Sequence, residues 1–170
     1  MKEQTVSVVD VARYILDTLG EMTTWKLQKL CYYAQAWSLV WDDSPLFEDR
    51  IEAWANGPVV PALYEQHRGQ YYIQTIIGNP KRLTQNQRDA IDSVITVYGD
   101  KSSAWLSELT HNEKPWQEAR RRAGLGPGER GNSEITLADM ADYYSSHTSC
   151  RRSGRLHSFQ SFLGGIVYFA

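Results

Sequence analysis

Cysteine is scarce: the chain has two, Cys31 and Cys150, in 170 residues. That number supplies neither a disulfide framework nor the paired spacing of a zinc site, so a reducing cytoplasm is the expected setting. An excess of one charge is also missing. The formal net charge of −2, with 22% charged residues, excludes a generally polybasic nucleic-acid binder. The balance is uneven, however: the acidic excess lies before Pro115, and beyond it every positive side chain is an Arg. No run approaches the roughly 20 apolar residues of a membrane-spanning helix. Met1-Lys2-Glu3-Gln4 lacks the apolar core of a secretion signal. Neither a membrane nor a nucleic acid is an expected partner. A glycine-rich phosphate loop, a His pair at metal-ligating spacing and a nucleophile signature are all absent. The sequence therefore carries no catalytic signature and gives no reason to expect a metal or a cofactor.

What is present is an ordinary globular composition, 42% hydrophobic, with a surplus of aromatics: 6 Trp and 10 Tyr. A chain of this length buries about 70% of its unfolded surface, enough for one core. The expected organisation is one domain over residues 1–148 and a C-terminal extension over 149–170, where Arg151, Arg152 and Arg155 precede an apolar run.

Apolar spacing of three and four predicts a helix from Ser7 to Leu19, with Gly20 as its stop. Thr23 or Thr24 is placed to cap a second helix, Trp25 to Trp41. On it Leu27, Leu30, Cys31, Ala34 and Trp37 trace a buried stripe, and Lys26, Lys29, Tyr33 and Gln35 fall largely outside. Leu46 to Trp54 alternates weakly, as a short strand does. Asn56-Gly57-Pro58 is a turn signal, and Pro61 suits the first turn of a short helix, Ala62 to Arg68. Tyr71 to Ile77 is β-prone and reads as a small hairpin or irregular loop. Thr84-Gln85-Asn86-Gln87 is a capping box for a helix to Tyr98. Short helices follow from Ser102 or Ser103, from Pro115 to Ala123, and from Leu137 to Ser146 behind Thr136, with a glycine-rich loop over Gly124–Gly131. The expectation is a mainly α domain of six or seven helices with at most one small β-hairpin.

Three groups invite functional readings. His67 and His111, with Glu65 and Glu108 nearby in sequence, are candidate bases of a small hydrolase or nuclease; ordinary hydrogen-bonded histidines at helix ends are the competing reading. Arg120-Arg121-Arg122 offers positive charge for phosphate, but successive helical residues are about 100° apart and cannot share a face. Trp25, Tyr32, Tyr33, Trp37 and Trp41 crowd one helix. Aromatics beyond what one buried stripe holds suit a protein-binding face.

The run Met22-Thr23-Thr24-Trp25-Lys26-Leu27-Gln28-Lys29-Leu30-Cys31-Tyr32-Tyr33-Ala34-Gln35-Ala36-Trp37 resembles the opening signature of the Panacea antitoxin domain, the phage- and prophage-associated GepA/SocA-like family. Pro45-Leu46-Phe47, Ile51-Glu52-Ala53-Trp54, Asn56-Gly57-Pro58-Val59-Val60-Pro61 with Tyr64, Leu109-Thr110-His111 and Pro115-Trp116 follow in the family's order. The likeness spans residues 5–147. It implies a mainly helical cytosolic antitoxin, encoded beside a toxin gene and neutralising that toxin by direct binding. One branch instead delivers its toxin to a ClpXP-type protease. No catalysis or cofactor is implied. The expected partner-binding residues are Trp25, Lys26, Lys29, Tyr33 and Gln35. The expected scaffold residues are Leu27, Leu30, Trp54, Gly57, Pro58, Tyr64, His111, Pro115 and Trp116. Cys31 departs from the aliphatic residue usual at its position, which a core site tolerates.

Overall fold

Helix α1, Val8–Leu19, begins where the Ser7 amide donates to Asp10 Oδ2 (3.1 Å) and ends at Gly20, whose φ of 79° suits a residue without Cβ. The computed structural model describes residues 5–148; the extension expected over 149–170 lies outside them. Strand β1, Met22–Thr23, leads directly into α2, Thr24–Trp41, where Thr23 Oγ1 accepts from the Lys26 amide (3.2 Å).

Helix α2 organises the domain. Every residue from Leu27 to Ser38 is buried, because α1, α5 (Ser103–His111), α4 (Gln85–Tyr98), α7 (Leu137–Ser146) and strand β3 (Gly57–Val59) surround it. The single buried stripe expected from periodicity is thereby corrected: a helix enclosed on all sides buries its polar positions too, provided each finds a partner. Leu27 and Leu30 are fully buried on α2, each contributing about 1.5–3 kcal/mol. Trp37, Tyr32, Tyr33, Tyr98 and Tyr144 are the largest side chains of the core.

Strands β2 (Glu52–Trp54) and β3 (Gly57–Val59) form an antiparallel hairpin around Ala55-Asn56. The segment near Glu134 runs alongside β2, with the Ala53 amide donating to Ser133 O and the Ile135 amide to Ile51 O. Pro61 opens α3 (Pro61–His67). Strand β4, Tyr72–Ile73, pairs antiparallel with β1, Met22 opposite Ile73 and Thr23 opposite Tyr72. The local hairpin expected over Tyr71–Ile77 is replaced by this long-range pairing, giving two small sheets in a mainly α frame. A 3₁₀ turn (Pro80–Arg82) precedes α4, whose capping box joins Thr84 and Gln87. Helices α5 (Ser103–His111), α6 (Lys114–Arg122) and α7 complete seven α-helices among the described residues. Thr136 and Asp139 form the box that starts α7.

Candidate functional site

The first turns of α2 bring Lys29 against the hairpin, and the hairpin is shaped around it. Gly57 holds φ at 113°, and a Cβ there would lie 2.6 Å from Lys29 Cε and 2.9 Å from Nζ. Only glycine meets both conditions. Lys29 Nζ donates to Pro58 O (3.1 Å) and lies 5.8 Å from the Trp25 ring centroid. The residue is 1% exposed. Among the described residues no carboxylate is within ion-pair distance of it. Burial pushes its ammonium down to about 7.

Two chains of rings brace this cradle. Trp54 packs edge-on against Tyr64 (4.9 Å) and Tyr64 against His67 (5.5 Å). Gln28, buried behind them, accepts from the Val60 amide (2.9 Å), and its Nε2 is 3.0 Å from His67 Nε2. On the other side Trp116 Nε1 donates to Trp54 O (2.8 Å), His111 stacks on Trp116 (4.3 Å), and the Arg120 guanidinium covers the same indole (5.2 Å). Pro115, buried in the first turn of α6, sets the angle at which Trp116 arrives. Arg120 donates to the carbonyls of Ala53, Gly126 and Glu129, tying the hairpin to the glycine-rich loop. Arg121 pairs with Glu118 and Arg122 with Asp139, so the three arginines serve three separate contacts and form no phosphate-binding patch.

Above the cradle opens a groove of about 660 Å³. Trp25, Trp54 and Tyr64 form its apolar walls; Lys29 and Arg130 are its basic residues; among the described residues no acidic side chain lines it. Its rim continues outward. The Thr24 amide donates to Tyr71 O (3.0 Å), which sets the exposed Tyr71–Tyr72 pair (rings 4.9 Å apart) beside the turn that carries Trp25.

The residues expected to bind a partner are distributed differently from the sequence reading. Trp25 is 42% exposed. Lys26 is half-buried, its ammonium donating to Gly99 O (2.6 Å) at the end of α4. Tyr33 and Gln35 are fully buried and offer no docking surface, which corrects their assignment. Tyr33 stacks on Tyr98 (4.3 Å) and donates to Glu113 Oε2 (3.0 Å). Gln35 accepts from the Leu46 and Phe47 amides and donates to Phe47 O. Lys29, though buried, lines the groove.

Sequence reasoning gives no cause to single out Glu113. It is buried, receives the Tyr33 and Tyr144 hydroxyls on one oxygen, and has no hydrogen-bond partner on the other. Burial pushes it up to about 8, against the pull of the two hydroxyls. Its only sequence signal is the position ahead of Pro115, where a helix starts.

The two candidate bases are not set up as such. His67 Nε2 is engaged by Gln28, Glu65 pairs loosely with Arg68, and burial lowers the His67 imidazole. His111 is lowered by burial and then by the Lys29 charge, and its Nε2 is buried without a partner. Neither imidazole bonds to a carboxylate or hydroxyl among the described residues. No group of three or more His, Cys, Asp or Glu side chains among them is arranged to hold a metal, and no helix there is long and apolar enough to cross a membrane.

The family model described as "Antitoxin SocA-like, Panacea domain" matches residues 27–117. Those residues take in Lys29, the hairpin, α3 and the His111–Trp116 stack. Antitoxin SocA of Caulobacter vibrioides (strain NA1000 / CB15N) is 29% identical over 144 residues, spanning 74% of this chain and 76% of that protein. No solved structure matches the chain.

Proposed function

The chain belongs to the SocA-like Panacea antitoxin family, and from that premise we propose that it neutralises a toxin by binding it directly. The observation that carries the reading is the set of exposed aromatics at this end of α2: Trp25 lines the groove over Lys29, and Tyr71 and Tyr72 directly follow Gln70, which lines it too. Large aromatics left at a surface are characteristic interface anchors. The frame beneath them is stiff: the hairpin, α3 and α6 are locked by buried hydrogen bonds to side chains of α2 and α6. A preorganised surface loses little entropy on docking. A stable inhibitory complex buries about 1,200–2,000 Å² in total, more than the groove alone supplies. Trp25 and Lys29, with Tyr71 and Tyr72, are therefore the proposed centre, and Lys26 lies at its edge.

The partner on this reading is the toxin encoded beside this gene. Co-expression with the neighbouring gene product should restore growth, and the two should copurify. Failure of the purified proteins to associate would overturn the reading. Association followed by loss of the toxin only in cells holding a ClpXP-type protease would instead assign delivery for proteolysis.

A further inference from the structure

Lys29 is a buried amine that has no counter-ion among the described residues. Buried charges are normally paired, because an unpaired one loses its hydration with nothing in return. An ammonium has three donors, and Lys29 uses one, on Pro58 O. The elements around it bring His111, His67 and Arg120 towards it, with Arg130 on the groove. Their carboxylates are engaged elsewhere or exposed: Glu52 with Trp54 Nε1 (2.7 Å) and Arg50 (3.1 Å), Glu65 with Arg68 (3.9 Å), Glu118 with Arg121 (2.6 Å), and Glu108 at the surface. Glu113 lies one turn further along α2 at Tyr33, where burial, against the pull of two tyrosine hydroxyls, raises it to about 8 and leaves it mainly neutral at pH 7. Among the described residues the domain therefore brings no carboxylate within ion-pair distance of Lys29.

The groove supplies the second, independent observation. Lys29 and Arg130 line it, no acidic side chain among the described residues does, and its apolar walls are Trp25, Trp54 and Tyr64. About 660 Å³ holds more than a lone ion. Trp25 on its wall is exposed, and the exposed Tyr71 and Tyr72 follow its lining residue Gln70 in the chain, a setting that suits a protein surface better than a free small anion.

We propose that this groove receives an Asp or Glu side chain of the toxin, which pairs with Lys29 while an adjacent apolar residue packs between Trp25 and Trp54. The proposal rests on the antitoxin reading and names the chemistry of its partner. It also accounts for Gly57: the one residue that lets Lys29 sit under the hairpin preserves a charge that the isolated fold would be more stable without. In the complex the charge is matched, so pairing draws Lys29 into its protonated form.

The test uses the full-length protein and the purified product of the adjacent gene. Titration calorimetry at pH 8, in two buffers of different ionisation enthalpy, should show net proton uptake on binding. Lys29→Met should fold, bind at least about 30-fold more weakly, and show no proton uptake. Replacing the toxin's acidic residues singly by Asn or Gln should reveal one whose loss matches that of Lys29→Met and adds nothing to it in combination. Should Lys29→Met fail to fold, the toxin series read against wild type decides the same question, since the acidic residue must cost both affinity and proton uptake. Equal affinity and equal proton exchange for Lys29→Met and wild type would overturn the inference and leave the antitoxin reading standing. Binding of inorganic phosphate at the groove with toxin affinity unchanged in Lys29→Met would do the same. Absence of any binding by wild type would overturn both.

Discussion

Lys29 and Gly57 are fitted to each other: the lysine's terminal carbon occupies the space a side chain at position 57 would need. Gly57→Ala must adopt φ near 113° with a Cβ and also displace a buried lysine tip held by Pro58 O. The expected cost is about 1–3 kcal/mol of stability. Part of it comes from the clash and part from the backbone, so Lys29→Ala in the same chain should recover only the first. Urea denaturation of both single variants and the double variant measures this: a double variant costing the full sum of the singles would show the two residues to be independent.

Trp25 and Tyr33 separate binding from folding. Trp25 is exposed on the groove wall, so Trp25→Ala should change stability by less than about 1 kcal/mol and abolish growth rescue at matched protein level. Tyr33 is enclosed, stacked on Tyr98 and bonded to Glu113. Tyr33→Ala should cost about 3–5 kcal/mol, and any loss of rescue should follow the loss of folded protein. Thermal melts beside the growth assay distinguish the two. A folded, stable Tyr33→Ala that fails to rescue would return that residue to the interface.

The helical frame was legible because its signals are local. Thr23, Thr84, Ser102 and Thr136 each cap a helix through an adjacent backbone amide, and capping chemistry is written within a few residues. Long-range pairing has no such signature. The partner of Tyr72–Ile73 is Met22–Thr23, far away in the chain, so β-prone residues after Gly69 suggest a local hairpin instead. The burial of Lys29, Tyr33 and Gln35 is hidden for a related reason. Periodicity ranks positions by polarity, while a polar residue goes inside when the fold brings it a partner, here Pro58, Glu113 and Phe47. Arg130 enters the groove from a glycine-rich loop, whose course depends on the carbonyls that Arg120 holds.

Glu113 and Lys29 bend the pH dependence of stability in opposite senses. Glu113 is raised from 4.5 to about 8, so the folded state holds its proton more tightly; the stability this gives is complete below about 4.5 and disappears as pH rises through 8. Lys29 is lowered from 10.5 to about 7, so the unfolded state binds more protons between those values and stability recovers as pH climbs from about 7 towards 10. Glu113→Gln mimics the neutral acid and keeps an oxygen for Tyr33 and Tyr144. Its advantage over wild type should be small at pH 5 and grow up to about pH 8. Denaturation midpoints at pH 5, 7 and 9 check it; a constant difference would mean the carboxyl is ionised in the fold throughout.

Gln35 tests whether a polar residue facing inward on α2 serves the scaffold alone. Its carbonyl oxygen accepts from the Leu46 and Phe47 amides at 2.7 and 3.2 Å, and its amide donates to Phe47 O at 2.7 Å. Gln35→Leu is nearly isosteric but strands three buried backbone groups, each costing about 1–3 kcal/mol when left unsatisfied. Relaxation and water entry would reduce the sum, and a net loss of about 2–4 kcal/mol is expected. Gln35→Glu sharpens the comparison. A carboxyl can accept both amide bonds in either state, but it donates to Phe47 O only when protonated. This variant should therefore melt closer to wild type at pH 5 than at pH 8, whereas the deficit of Gln35→Leu should stay nearly fixed across that range. Should Gln35→Glu lose the same stability at both pH values, the bond to Phe47 O contributes nothing, and the segment from Leu46 to Phe47 is held to α2 by its two amides alone.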